Sequence, residues 1–403
     1  MFLPAVILTY KYRVLPNKRQ HRALEGILES QRQLYNAALQ ERTDAYRKAG
    51  ISRSYYDQCC ALTTWRREDP EARIPPANLQ RHTLKRVDTA CVGFMGRVRR
   101  GERPGFPRFQ GFGRFKSFGF RQFSGITLKG RRLRFRGLPG GLRVHFHRPL
   151  PCGGPIKECI FRRQSNGWFV AFAVEVPVAP IRPAVRVVGM DLGISGRLAV
   201  LSDGGLIPGL RAARRGERRL RVAERALSRK QRGSKRRTKA RVQLARCHAQ
   251  IARRRSNHLN AASTRLIRDY DVIVHEAVNL RGLLRSDFAR DLYDASWGSF
   301  IGMLRYKAEK AGARIIEVDG RNTTQDCSNC GVRVPKNIHV RVHHCPSCGL
   351  TMDRDLNAAR NVLHRAGVSP GLPNVVECGM RAGGNLDFKG IEPLPISLRS
   401  TKP

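Results

Sequence analysis

Apolar and polar side chains alternate through VILTYKYRVL, residues 6 to 15, and the run stops at Pro16-Asn17, which predicts a β-strand. The period then lengthens. Leu24, Ile27, Leu28, Leu34, Tyr35, Ala38, Leu39 and Tyr46 recur at intervals of three and four until Gly50 ends the pattern, so a long amphipathic helix is expected there. A second helix is expected from about Pro76 to Arg99, with Leu79, Leu84, Val87, Ala90, Cys91 and Phe94 on one face. Residues 126 to 178 return to short alternating runs broken by Gly and Pro. Together with the first strand they predict a β-barrel into which a small helical lobe is inserted. Between lobe and barrel, GERPGFPRFQGFGRFKSFGFRQFSG (101 to 125) interleaves Phe with Arg, Lys and Gly. Such rings can stack on bases while the cations meet phosphate, or they can be the inward side of strands; the core role is expected for most of them.

The character changes at residue 184. AVRVVGMDLGISGRLAVLSDGG predicts a fully buried strand, a turn and a second strand, with Asp191 at the end of the first. Two strongly basic helices follow, RAARRGERRLRVAERALSRK and KARVQLARCHAQIARRR, with narrow apolar stripes (Leu220, Ala223, Leu227; Leu244, Cys247, Ile251). After a connecting helix, RDYDVIVHEAVNLRGLL gives another buried strand ending at Glu276, in which His275 is a neighbour in the strand pattern without a metal role. An amphipathic helix at 297 to 312, a strand at 313 to 320 and a helix beginning on acid at 352 to 367 complete the periodic part. From Val368 the chain is rich in Gly and Pro, and a mobile tail is expected.

Charge sharpens this picture. Lys+Arg 76 against Asp+Glu 31 gives a net charge of +45, a field that calls for a polyanion, nucleic acid first. An anionic membrane is the weaker fit, because the cations are spread along the chain and no stretch approaches ~18 uninterrupted apolar residues. Only Glu217 and Glu224 offset the cations between residues 211 and 255, so these helices are expected to track phosphates, with Arg229, Lys230, Lys235, Arg236 and Arg237 at their junction. The apolar run at the N-terminus lacks the flanks of a signal peptide.

Of the eleven cysteines, seven have no framework spacing, as suits free thiols in a reducing cytosol. The other four form two CxxC pairs, Cys327/Cys330 and Cys345/Cys348, separated by fourteen residues and each followed by glycine. That spacing predicts a zinc ribbon with one structural ion rather than two disulfides. The helix just beyond it starts MDRDLN, where Asp353 or Asp355 could simply cap the helix. With Asp191 and Glu276, an acid here could converge at strand ends, and two Mg²⁺ ions would relieve their repulsion and serve phosphodiester hydrolysis.

The motifs GMDLGI, VHEAVNL, TTQDCSNCG, HHCPSCG and DRDLNAARN run in this order over nearly the whole chain. They resemble TnpB, the RNA-guided nuclease family of small insertion sequences and apparent ancestor of type V CRISPR effectors; YKYRVLPNKRQ, GFPRF (105 to 109) and SRKQRGSKRR (228 to 237) resemble their counterparts too. The resemblance implies a multidomain α+β fold: a wedge β-barrel (1–15 and 101–183), an inserted helical recognition lobe (16–100), an RNase H-like RuvC domain (184–320 and 352–367), an interrupting zinc ribbon (321–351) and a tail (368–403). It implies Asp191, Glu276 and Asp355 as catalytic Mg²⁺ ligands, Asp355 being the acid two residues before Asn357. Met352 stands where the family commonly has histidine. LQRHTLKRVDTA resembles the stretch that reads a short target-adjacent DNA motif, with Gln80 and Tyr55 as candidates. The implied activity is cleavage of double-stranded DNA directed by a structured guide RNA, one chain per RNA, in a prokaryotic cytosol. The alternatives are an RNA-guided DNA-binding regulator without cleavage and an RNA-independent transposase or recombinase.

Overall fold

The alternation at the N-terminus is realised in β1 (Ala5–Leu15), where Leu8, Tyr10, Tyr12 and Val14 are buried and Thr9, Lys11 and Arg13 are exposed. The structure, a computed structural model, describes residues 5–151, 154–194, 196–210, 212–279, 289–337 and 339–368; the tail expected beyond Val368 lies outside them. β1 pairs antiparallel with β7 (Gly167–Pro177) on one side and β5 (Leu142–His145) on the other. It thereby becomes the centre of a seven-stranded sheet with β2 (Ser117–Arg121), β3 (Ile126–Lys129), β4 (Arg132–Phe135) and β6 (Ile156–Gln164), in the order β2-β6-β7-β1-β5-β4-β3. Phe135 of β4 meets Phe120 of β2 and Phe161 of β6 with ring centroids 5.1 and 5.4 Å apart. The two ends of the sheet therefore share one core, and the sheet is a nearly closed barrel.

The helical lobe packs on that barrel. α1 (Lys18–Ala49) starts at an Asn17/Gln20 capping box and ends at Gly50, as its pattern predicts. α2 (Tyr55–Glu68) was not legible, because its buried face is Leu62 and the amide of Gln58, which donates to Ala38 O and Glu41 Oε2. A polar tie of this kind leaves no apolar period to detect. α3 is Ala77–Arg99. The Phe-rich stretch divides: Phe115, Phe118 and Phe120 are buried, whereas Phe106, Phe109 and Phe112 stay exposed.

The second half builds a five-stranded sheet from β8 (Val187–Leu192), β9 (Arg197–Leu201), β10 (Leu206–Pro208), β11 (Val272–Glu276) and β12 (Arg314–Val318), in the order β10-β9-β8-β11-β12. β8, β11 and β12 run parallel, and β9 and β10 are antiparallel additions. α4 (Ala212–Ser228) folds back on α5 (Lys235–Asp269). The second basic helix and the connecting helix expected after it are one continuous element of 35 residues, since no breaker separates them. The C-terminal part of α5 packs with α7 (Trp297–Ala311), which follows the short α6 (Ala289–Ala295), on one face of the sheet. α8 (Arg354–Arg365) covers the other. The ribbon between β12 and α8 carries the hairpin of β13 (Val342–His344) and β14 (Thr351–Asp353). Among the described residues no helix is long and apolar enough to cross a membrane.

Candidate functional site

Strand alternation decides where the acids point. Val188, Met190 and Leu192 of β8 pack towards α5 and α7, so Gly189 and Asp191 face α8; on β11, Val272 and Val274 face α8, and Glu276 follows them. The parallel register sets Val274 beside Gly189 and His275 beside Met190, so Glu276 lies next to Asp191 at the C-terminal ends of adjacent strands. His275, on the opposite face, is buried, and its Nδ1 pairs with Glu276 O at 2.8 Å.

α8 can approach because of Gly189. A Cβ there would lie 2.2 Å from Ala359 O, so any side chain would push the helix away from the sheet. Asp353 is the N-cap: its Oδ1 accepts from Asp355 N (2.9 Å) and Leu356 N (3.3 Å), and its Oδ2 from Arg197 Nη1 (2.9 Å). Asp355, inside the first turn and 9% exposed, is left to face the sheet. Arg354 donates to its Oδ1 from Nε and Nη2 at 3.3 and 3.1 Å, and Arg197 and Arg341 stand 3.6 Å from its Oδ2.

Asp191 is held well above the usual carboxylate range, first by burial and then by the charges of Glu276 and Asp355. Burial pushes Glu276 up to about 7, against the pull of Arg365. The arginines offset Asp355 but leave the Asp191–Glu276 side short of positive charge, and a divalent cation fits that deficit. The three carboxylates converge without closing round one point: among the described residues, the four cysteines are the one group of three or more metal-type donors that all lie within 4.8 Å of one another. A cleft of about 620 Å³ lined by Asp319, Arg321, Asn322 and Arg365 opens at the end of β12, beside Glu276.

Glu276 makes the stability of the chain depend on pH. Its carboxyl binds a proton more tightly in the folded chain than in the unfolded one, so this contribution to stability is full below the unfolded value near 4.5 and is lost as pH rises through about 7. The loss is on the order of 3 kcal/mol without divalent ion. Melting curves of the metal-free protein between pH 5 and 8 should show a falling stability that Glu276→Gln flattens and Mg²⁺ restores. A Glu276→Gln profile parallel to that of the unaltered chain would contradict the assignment.

The cysteines form a second centre. All four sulfurs lie within 4.8 Å of one another, Cys327 to Cys348 and Cys330 to Cys345 at 3.6 Å each, and none is disulfide-bonded. Tetrahedral thiolates about 2.3 Å from Zn²⁺ would be about 3.8 Å apart, so the donor set fits this ion. The two knuckles repeat each other: Gly331 N donates to Cys327 O and Gly349 N to Cys345 O, with φ of 75° and 73° at the glycines, a conformation other residues adopt at a cost.

Two asparagines join this centre to the acids. Asn357 and Asn361, one turn apart on α8, both donate from Nδ2 to Asp326 O (2.8 and 2.6 Å), and Asn361 also to Thr323 O (2.8 Å). Asn357 Oδ1 accepts from Ser328 N, inside the first knuckle, at 2.9 Å. The helix that carries Asp355 is thus fastened to the ribbon. The sequence motif contained Asn357 but gave no sign of this role; the spacing of four between two buried amides was the available signal.

The expected nucleic-acid contacts separate into two groups. Arg229, Lys230, Lys235 and Arg236 are exposed at the α4–α5 junction, whereas Arg237 donates to Leu227 O and Lys230 O and so ties the junction together. Tyr55 is half-buried under the ammonium of Lys85. Gln80 is 2% exposed, with its amide engaged by Ala72 O and Arg66, which gives it a structural role inside the lobe rather than a free edge for DNA. Sequence resemblance marks a position but not the direction of its side chain.

Known proteins can now be set beside this geometry. Residues 171–287 match a family model described as "Probable transposase" (OrfB of IS605), residues 297–362 one described as "Cas12f1-like, TNB domain", and residues 1–52 one described as "Helix-turn-helix domain", here a strand followed by one helix. A Streptomyces pristinaespiralis protein named "Putative RNA-guided DNA endonuclease" is 33% identical over 361 residues, 88% of each chain. The "TnpB-like protein L79" of Acanthamoeba polyphaga mimivirus is 31% identical over 115 residues, 27% of this chain and 22% of that one. Among solved structures, the Cas12f1 chain of a complex with sgRNA and target DNA shares the fold with a TM-score of 0.52 at 12% identity, over 84% of this chain and 81% of its own.

Proposed function

Because this chain belongs to the TnpB family, we propose that it is an RNA-guided DNA endonuclease whose cutting centre is Asp191, Glu276 and Asp355. The observation that carries this reading is the convergence of three acids from β8, β11 and α8, two of them held above their ordinary pKa, in a chain of net charge +45. Surplus negative charge at one point of so basic a protein serves to bind cations.

A pair of Mg²⁺ ions shared by these carboxylates would lower the pKa of the attacking water and stabilise the leaving oxygen of the scissile phosphodiester. Asp191, held on a central strand, would be one of the carboxylates that bind them. Glu276, whose carboxyl burial pushes up to about 7, would hold a cation in its deprotonated form, so cation affinity should rise with pH up to about 7. Asp353 and Arg197 hold the first turn of α8 and with it the orientation of Asp355. The ribbon's cysteines would hold one Zn²⁺ in a closed, structural site.

In this reading the exposed cations of the barrel and of the α4–α5 hairpin hold a structured guide RNA, and the guide selects double-stranded target DNA by base pairing. The helical lobe, with Tyr55 as a candidate, checks a short flanking duplex motif, since pairing cannot begin until the duplex is locally opened. The chain would work in a prokaryotic cytosol as one copy per RNA.

The test is to purify the protein with the nucleic acid it retains, sequence that RNA, and measure its release with salt. The reading predicts one dominant RNA species whose affinity falls by at least about 10³-fold between ~50 and 200 mM salt. Replacing the RNA's targeting segment should redirect DNA binding. Retention of unrelated RNA fragments, or DNA binding indifferent to that segment, would overturn it.

A further inference from the structure

The guided reading leaves one built surface without a task. Phe106, Phe109 and Phe112 recur every third residue and are 51%, 51% and 85% exposed, while Phe115, Phe118 and Phe120 just beyond them are buried in the barrel. Three exposed rings in one stretch forgo much apolar burial. A loose loop could fold them against itself, but this backbone is fastened. Arg97 Nη2 donates to Gly105 O at 3.0 Å, Asn36 Nδ2 and Arg32 Nη1 each donate to Gln110 O at 3.0 Å, and Gln110 N donates back to Asn36 Oδ1 at 2.8 Å. At the far end Phe115 is held beneath the guanidinium of Arg86, 4.3 Å from its ring centre, and beside Tyr35. Phe106 rests edge-on against Phe94, with centroids 5.2 Å apart. Phe109 and Phe112 thus project from either side of a backbone anchor.

The charge around the rings chooses the partner. Arg103, Arg108, Arg114 and Lys116 are exposed, and no acid lies between residues 103 and 116. An apolar protein surface would leave these cations uncompensated, whereas a single nucleic-acid strand offers base faces to the rings and phosphates to the cations. Of the two nucleic acids, RNA fits better. Double-stranded target arrives with its bases already stacked, and extruding them costs a few kcal/mol, while RNA is recognised through unpaired bases that are free to stack on aromatic side chains.

We propose that residues 103–114 form a single-strand platform on which Phe109 and Phe112, with Phe106 at its edge, stack unpaired bases of the RNA partner while Arg103, Arg108 and Arg114 meet the adjoining phosphates. This rests on the guided reading for the identity of the strand.

The test uses the full chain and an unstructured single-stranded RNA bearing 2-aminopurine, with the same sequence as single-stranded DNA and as duplex RNA in parallel arms. Phe109→Ala combined with Phe112→Ala should weaken the single-stranded RNA by at least about fivefold per ring and remove the 2-aminopurine quenching. The slope of log affinity against log salt should stay unchanged, because no phosphate contact is lost. Arg108→Ala with Arg114→Ala should instead lower that slope by about 0.7 per residue. Should the double Phe variant melt early, Phe112→Trp, at the most exposed position, must bind at least as tightly as the unaltered chain. Unchanged affinity and quenching in the Phe variants would overturn the platform, as would an equal loss for duplex RNA or a larger loss for DNA. If the unaltered chain itself holds no RNA, it is the guided reading that fails.

Discussion

Asp191→Asn is expected to lower target cleavage by at least about 10³-fold while guided DNA binding stays within about twofold of the unaltered chain and the metal-free protein melts at a higher temperature. The first effect follows from removing one carboxylate of the proposed cation centre, where cations would supply several kcal/mol of transition-state stabilisation. The second follows because Asp191 is buried at the end of β8, whereas the cations proposed to hold RNA and DNA are exposed. The third follows because burial and the neighbouring Glu276 and Asp355 already disfavour the charged form, and an uncharged isostere relieves that strain. Plasmid cleavage, filter binding and a melting curve on one preparation decide it. Lower stability together with lost cleavage would mean that Asp191 supports the fold rather than a cation.

The second large effect is expected at Cys327, 2% exposed within the first knuckle. Cys327→Ser should reduce zinc from one ion per chain to a fraction of that and lower the melting temperature by on the order of 10 °C, since binding free energy at a structural zinc site is folding free energy. Cleavage should fall as well, although Cys327 belongs to the ribbon and not to the acid centre. The amides of Asn357 and Asn361 hold the loop 323–328 to α8, so a ribbon that opens loosens the helix that orients Asp355. Zinc analysis and a melting curve check the first part, and the rate at saturating Mg²⁺ checks the second. Full zinc content in the variant would remove Cys327 from the ligand set.

What could be read in the sequence and what could not divide along physical lines. Periodic burial marked out β1, α1, α3, β8, β9, β11 and β12, because each carries a largely apolar side. α2 escaped, since Gln58 substitutes an amide tie for an apolar anchor. Position in a strand, together with the parity of the pleat, placed Asp191 and Glu276 on one face. The sequence alone left Asp353 and Asp355 open; the cap hydrogen bonds assign Asp353 to the helix end. The arginines that gather at Asp355 come from β9, the ribbon and α8, and no local pattern announces a cluster assembled from residues 197, 341 and 354. Phe is interleaved with Arg, Lys and Gly throughout the Phe-rich stretch, yet only its second half enters the barrel, because Arg97, Asn36 and Arg32 hold the first half outside.

Cutting at the three acids should require the guide. Its most direct measurement is the fate of a supercoiled plasmid library carrying the guide-matched sequence beside a randomised flank, incubated with the RNA-loaded chain and Mg²⁺, with the Asp191→Asn complex in parallel. Linear product should depend on the guide, favour particular flanks and be absent with the variant. Linearisation indifferent to the guide, or equal cutting by the Asp191→Asn complex, would contradict it, and tight guided binding that leaves the plasmid supercoiled would mark the chain as a binder rather than an enzyme.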